Sequence, residues 1–379
     1  MIKKVLFFFG IIFYTTLVSA FETTAKQAYL IDVLSGKVLL KKNENERISP
    51  ASITKIMTTI VAFELIKKGE LKLDEKFKIS KKAWRMSSKG YSSMFIMPGD
   101  KVSVENLLKG IIIVSGNDAC VALAQGIAGT EEEFVNMMNT MAIKIGLNNT
   151  KFSNSSGLYN ENNFSTAKDI ATMSIYLINN FPRLYEYYKI KKFTWDRTGG
   201  APITQGNRNP ILYKDMGGDG LKTGHLVDSG YSLAATTKTN ERRILSVISG
   251  LNSKSERSRE TIRLLSFAKN RFDLLRISKA DKNFVIKTWN LKPKIVQLEL
   301  SNDVFLTTPK RQKNKLKLEI VHNNEILKTV VNKGVPISKL NIYYDDKLIK
   351  SEILYSSIKT EKENFLIRFI NSISYFIWG

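Results

Sequence analysis

Apolar residues recur at helical spacing from Ile53 to Leu65, and Ser52 stands before them as a helix-start residue. The same spacing runs through Asn106 to Val114 and Asp118 to Ile127, interrupted by Ser115-Gly116-Asn117. It returns in Ala167 to Ile178, opened by Ser165-Thr166, and in Ser258 to Lys269. Strand-like runs lie outside these helices. Ala28 to Val33 and Lys37 to Leu40 flank Leu34-Ser35-Gly36 and predict a hairpin. Gly220 to Lys222, Ser232 to Thr236 and Arg243 to Ser249 predict three further strands. Strands at both sequence ends with helices between them predict one antiparallel sheet with an inserted helical lobe, an α+β arrangement.

The pattern changes near residue 280. Short β-rich runs follow at Asn283 to Thr288, Ile295 to Leu300, Val304 to Thr307, Leu316 to Val321, Ile326 to Val331 and Leu340 to Tyr344. Turn signals such as Lys333-Gly334-Val335-Pro336 separate them, which predicts a small all-β domain. At the other end, Met1-Ile2-Lys3-Lys4 is basic, Val5 to Val18 is apolar, and Val18-Ser19-Ala20 ends in small residues. That is the pattern of a secretory signal removed after Ala20. The expected divisions are residues 1–20 as signal, 21–278 as the α+β domain, 279–356 as the β domain and 357–379 as a terminal helical segment.

At 379 residues, the chain is long enough for two or three domains. Its single cysteine, Cys120, excludes an internal disulfide framework. Only His225 and His322 are histidines, which excludes a multi-histidine zinc site and disfavours a Ser-His-Asp triad. No metal or cofactor is expected. The 58 Lys+Arg against 35 Asp+Glu give +23. Such a balance attracts anionic partners. Export turns that expectation from nucleic acid toward a membrane surface or an anionic envelope polymer, or leaves it a lysine-rich solvated face.

Three short motifs could carry chemistry. In Ser52-Ile53-Thr54-Lys55 the serine and lysine are one helical turn apart, so a lysine of lowered pKa could deprotonate a serine nucleophile. Ser115-Gly116-Asn117 offers a hydroxyl and an amide between two helices. Lys222-Thr223-Gly224 places a cation and a hydroxyl on a strand, where they could bind a carboxylate, with Gly224 letting a ligand backbone approach. Taken singly, the three are also what a helix cap, an interhelical turn and an exposed strand would show.

Taken in this order, 63 and 107 residues apart, they form the signature of penicillin-binding proteins and class A β-lactamases. The chain resembles a low-molecular-mass penicillin-binding protein of the D-alanyl-D-alanine carboxypeptidase kind with a C-terminal amphipathic anchor. The likeness extends through Pro50-Ala51-Ser52, Asp118-Ala119-Cys120, Phe164 to Asp169, Asp219-Gly220-Leu221 before Lys222, Arg257 and Pro309. Leu226, after Gly224-His225, departs from it, since a small polar residue is more usual there.

The resemblance implies a penicillin-binding/β-lactamase-like fold and a set of roles. Ser52 would attack the bond between two D-alanines of a peptidoglycan stem peptide, with Lys55 as general base. Ser115 would relay a proton and Asn117 would orient Lys55 and the substrate. Lys222, Thr223, Gly224, His225 and Arg257 would form the substrate site. Lys222, Thr223 and Arg257 would hold the terminal carboxylate, and the backbone N–H groups of Ser52 and His225 an oxyanion. β-Lactams would acylate Ser52. Cys120 reads as a small core residue. The alternatives are a β-lactamase using Glu132, with Asn136 one helical turn on, and a non-catalytic envelope-binding protein of the same fold.

The terminal segment Glu361 to Trp378 gathers Phe365, Leu366, Phe369, Ile370, Ile373, Phe376 and Ile377 on one arc of about 140°. Arg368, Asn371, Ser372 and Ser374 fall opposite. This predicts a helix lying in the outer leaflet of the inner membrane, holding an exported enzyme peripherally on the periplasmic side.

Overall fold

The computed structural model describes residues 21–87, 90–280, 284–288, 291–322 and 330–378. The expected signal at 1–20 lies outside them, as does most of the strand expected at Ile326 to Val331.

Five antiparallel strands form the central sheet, in the order Lys37–Lys42, Gln27–Asp32, Arg242–Leu251, Gly230–Thr239 and Gly218–Leu226. The first two come from the start of the chain and the last three follow the helical lobe, as the sequence pattern predicts. Gly218–Leu226 is an edge strand, so one side of its backbone is left open beside the lobe.

Each face of the sheet has its own core. On one side Leu30, Leu233 and Ile248 pack with Leu264 and Leu265 of the Lys254–Arg271 helix. On the other, the sheet meets the lobe through Leu245 and Val247, with Ile56, Ile60, Phe63, Leu123 and Leu177. At the centre of that lobe is the Lys55–Lys68 helix, whose first ten residues are all buried. Only its last turns, with Lys67 and Lys68, reach solvent, so the helix belongs in the interior.

One detail differs from the sequence reading. Ser52 does not cap this helix. Pro50 precedes a 3₁₀ turn, Ala51–Thr54, in which Ile53 N–H donates to Pro50 O at 3.0 Å, and the turn runs straight into the helix. Ser52 is therefore inside a tightly wound turn.

Phe272–Ser278 pairs with Val304–Pro309, which joins it to the β-rich part. The sequence pattern assigns this strand to the α+β domain expected over residues 21–278. The main sheet of that part runs Phe284–Lys287, Ile295–Leu300, Lys347–Ser356, Pro336–Tyr344, Leu316–His322. Val296, Leu298, Leu340, Ile342 and Leu354 form its core. Ten residues, Lys347–Ser356, form a central strand that the pattern did not reveal, because their apolar residues fall in pairs and do not alternate. A buried junction ties the two parts: Asp32 accepts from Arg242 Nε at 2.8 Å and from Thr307 Oγ1 at 2.9 Å. The chain closes with the Phe365–Trp378 helix.

Candidate active site

The 3₁₀ turn, the Lys55–Lys68 helix, the Asn117–Ala128 helix and the edge strand meet at one cleft. Lys55 is buried, and its Nζ donates to Ser52 Oγ at 3.0 Å, to Asn117 Oδ1 at 2.8 Å and to Ser156 O at 2.5 Å. An ammonium has three protons and here has three acceptors. A neutral amine has two, and Asn117 and Ser156 can take both. The lone pair then faces the Ser52 hydroxyl, which is the geometry proton abstraction needs. Burial, helped by the cation of Arg208, lowers the Lys55 pKa to about 8, while Cys120 and the carboxylate of Asp118 oppose the shift. The Cys120 thiol is also buried, which pushes its pKa up to about 12 and keeps it neutral.

Neighbouring backbone explains the precision. Asn154 Oδ1 accepts from Gly157 N–H at 2.6 Å and Leu158 N–H at 3.1 Å, which fixes the turn that carries the Ser156 carbonyl. Gly157 has φ +78° and sits against the turn that carries Ser52; a Cβ there would lie 1.8 Å from Ala51 O. Ser115 ends the Gly110–Val114 turn with left-handed backbone, φ 66°, and is buried. Asn117 N–H donates to Ser92 O at 2.8 Å.

On the edge strand Lys222 and Thr223 are buried. Burial, and then the cations of Lys55, Arg208 and Arg257, hold the Lys222 pKa well below its ordinary value. Gly224 was expected to admit a ligand. Protein also approaches it closely: a Cβ would lie 2.4 Å from Ser232 Oγ and 2.9 Å from Pro50 O. The glycine thus lets the strand pack directly on the turn carrying Ser52. His225 is exposed at the rim, its ring stacked on Tyr231 at 4.0 Å. Arg257 lies over the same Tyr231 ring, 5.8 Å from its centroid. Burial lowers its pKa to about 10, and among the described residues its Nε has no hydrogen-bond partner.

Two contributors escaped the sequence reading. The Ser156 carbonyl carries no side-chain signal at all. Arg208 looked like one lysine-or-arginine among 58. It donates to Ser92 Oγ at 2.6 Å and its charge reaches Lys55, Lys222 and Arg257. Among the described residues, none of these four cations forms an ion pair with a carboxylate, so the cleft is electrostatically open to an anion. Glu132, by contrast, pairs with Lys82 at 3.1 Å with its side chain 74% exposed, and takes no part in the cleft.

The chain is similar to known proteins over most of its length. A family model described as D-alanyl-D-alanine carboxypeptidase matches residues 14–253, and one described as penicillin-binding protein 5, C-terminal domain, matches 272–362. The D-alanyl-D-alanine carboxypeptidase DacC of Escherichia coli is 35% identical over 356 residues, 93% of this chain and 88% of the relative. The crystal structure of penicillin-binding protein 5 from Haemophilus influenzae superposes with a TM-score of 0.84 at 33% identity, covering 91% of this chain and all of that one. The ampicillin-bound form of penicillin-binding protein D2 from Listeria monocytogenes superposes with a TM-score of 0.58 at 27% identity, over 65% of this chain and 98% of that one.

Proposed function

The chain belongs to the D-alanyl-D-alanine carboxypeptidase family of serine peptidases, and from that premise we propose how its own residues perform the reaction. Ser52 attacks the carbonyl between the two terminal D-alanines of a peptidoglycan stem pentapeptide. Neutral Lys55 takes the hydroxyl proton. With a pKa of about 8, roughly a tenth of Lys55 is neutral at pH 7. The observation that carries the reading is the Lys55 amine, held by Asn117 and Ser156 with its third direction on Ser52.

Ser115 passes the proton to the leaving D-alanine amine. The backbone N–H groups of Ser52 and His225 hold the oxyanion, in keeping with the direct packing of Gly224 on the Pro50–Ser52 turn. Lys222, Thr223 and Arg257 bind the terminal carboxylate, and the unpartnered Arg257 Nε supports that assignment. Water then releases the acyl-enzyme. β-Lactams acylate the same serine, as the ampicillin-bound relative suggests. A β-lactamase reading loses its support because Glu132 points away, and a non-catalytic reading because the Ser52–Lys55 pair is assembled.

The catalytic unit is proposed to end at Arg271, where the β-rich pairing begins. The enzyme is exported and held peripherally on the periplasmic face of the inner membrane by the Phe365–Trp378 helix. Phe365, Leu366, Phe369, Ile370, Ile373 and Ile377 are all exposed on it, an apolar stripe that none of the described residues covers. No helix among the described residues is long and apolar enough to cross a membrane.

The test combines two measurements on purified protein. It should release D-alanine from a stem pentapeptide, and mass spectrometry after penicillin treatment should find one adduct, on the peptide containing Ser52. An adduct persisting in Ser52→Ala removes that serine as nucleophile.

A further inference from the structure

Behind the catalytic turn lies a carboxylate the reaction scheme does not use. Asp118 is fully buried and pairs with no cation among the described residues. Its Oδ1 accepts from Met94 N–H and from its neighbour Ala119 N–H, each at 2.9 Å. Its Oδ2 accepts from Phe95 N–H at 2.8 Å, Ile96 N–H at 3.3 Å, Ser93 Oγ at 2.7 Å and Ser87 Oγ at 2.9 Å. A buried charge is costly unless its lone pairs are filled. Here dipoles alone fill them, and nearly all come from one segment, the roof of the cleft.

That roof is where the catalytic parts are joined. Ser92 O receives Asn117 N–H, Ser92 Oγ receives Arg208, and Ser93 O receives Gln205 Nε2 at 2.9 Å. Phe95 is held at φ 66°, a conformation a phenylalanine adopts only under constraint. Gly116 closes the same knot: a Cβ there would meet Asp118 Oδ1 at 2.8 Å and Met94 N at 3.1 Å.

We propose that Asp118 is a positioning residue for acyl transfer, whose carboxylate fastens the roof at Met94–Ile96 to the Ser115–Asn117 turn and so fixes Asn117 and Arg208 around Lys55. The proposal rests on the reading of Ser52 and Lys55 as nucleophile and base. It has an electrostatic side as well. The titratable and charged groups facing Lys55 are Lys222 on the edge strand, Arg208 on the segment before Pro210, and Asp118 and Cys120 on the Asn117–Ala128 helix, with Glu131 behind Cys120. With the thiol neutral, Asp118 is the anion that favours the protonated lysine. Removing it lowers the Lys55 pKa.

The test is Asp118→Asn in the full chain, an isosteric change that removes the charge and turns two amide protons toward a cluster of N–H donors. Penicillin acylation of Ser52, measured at pH 8 and normalised to folded protein, should fall by tenfold or more, since small displacements of a positioned group cost up to about 10²-fold. The acid limb of the acylation rate should move to lower pH. A carboxylate with a purely structural role would lower the melting temperature and leave both readouts unchanged, and that result overturns the proposal. If Asp118→Asn does not fold, Ser93→Ala decides. It removes one donor to the carboxylate and should slow acylation several-fold with the acid limb in place; a wild-type rate overturns the proposal. Labelling of Ser52→Ala at the wild-type rate would instead sink the nucleophile assignment, independently of Asp118.

Discussion

Gly157→Ala is the sharpest perturbation of the nucleophile's turn that leaves every catalytic side chain in place. Two costs combine. Gly157 has φ +78°, and a left-handed L-residue costs about 1–2 kcal/mol. The new Cβ would also lie 1.8 Å from Ala51 O and 2.5 Å from Ala51 C, both backbone atoms that cannot swing aside. Overpacking of this kind costs about 1–3 kcal/mol. The sum is about 2–5 kcal/mol, or a melting temperature lowered by about 4–20 °C for a domain of this size. Gly146→Ala separates the terms. Gly146 has φ +83° and nothing within 4 Å of a built Cβ, so only the backbone cost of about 1–2 kcal/mol applies. The relief of the clash at Gly157 must come from the Ala51–Thr54 turn or from the Ser156 carbonyl, and either displaces Ser52 from Lys55. Acylation by labelled penicillin should then drop by about 10²-fold in Gly157→Ala and stay near wild type in Gly146→Ala. Thermal melts and acylation rates on both variants check this. Equal losses in the two variants would refute the argument that Gly157 supports the nucleophile by close packing.

Three further outcomes are expected. Acylation should rise with pH through an acid limb near 8, because burial lowers Lys55 to about that value and only its neutral form is a base; a limb near 10 would contradict the buried-base geometry. Lys222→Ala and Arg257→Ala should each impair a free-acid substrate more than its C-terminal amide, a charge-assisted contact being worth about 1.5–3 kcal/mol; kcat/KM on the two substrates measures it, and equal losses would count against both residues. Deleting residues 365–379 should abolish sedimentation with anionic liposomes and leave turnover of soluble peptide intact. The cut belongs at 365 because Glu361–Lys362 still pairs with Leu291–Lys292.

Local pattern carried much of this protein. The buried Lys55–Lys68 helix announces itself by apolar residues at helical spacing, and Ile295–Leu300 by the alternation that runs from Val296, because both signals depend only on near neighbours along the chain. Ser52 and Lys55 are legible for the same reason, lying within one turn. Lys347–Ser356 was not legible, since its place in the sheet comes from pairing on both sides and not from its own pattern. The same limit applies within the site. Motif order placed Asn117 and Lys222 beside Ser52 by resemblance, but no rule of sequence spacing could bring Ser156 O to Lys55 across 101 residues, or set Arg208 on the roof at Ser92 across 116. Nor could it show that Gly224 serves the backbone of Pro50, or that Asp118 is filled by N–H groups more than twenty residues away. A backbone carbonyl, a close approach and a buried charge's surroundings have no side-chain signature. They exist only once separate segments are packed against one another, and that packing decides which proton Lys55 can take.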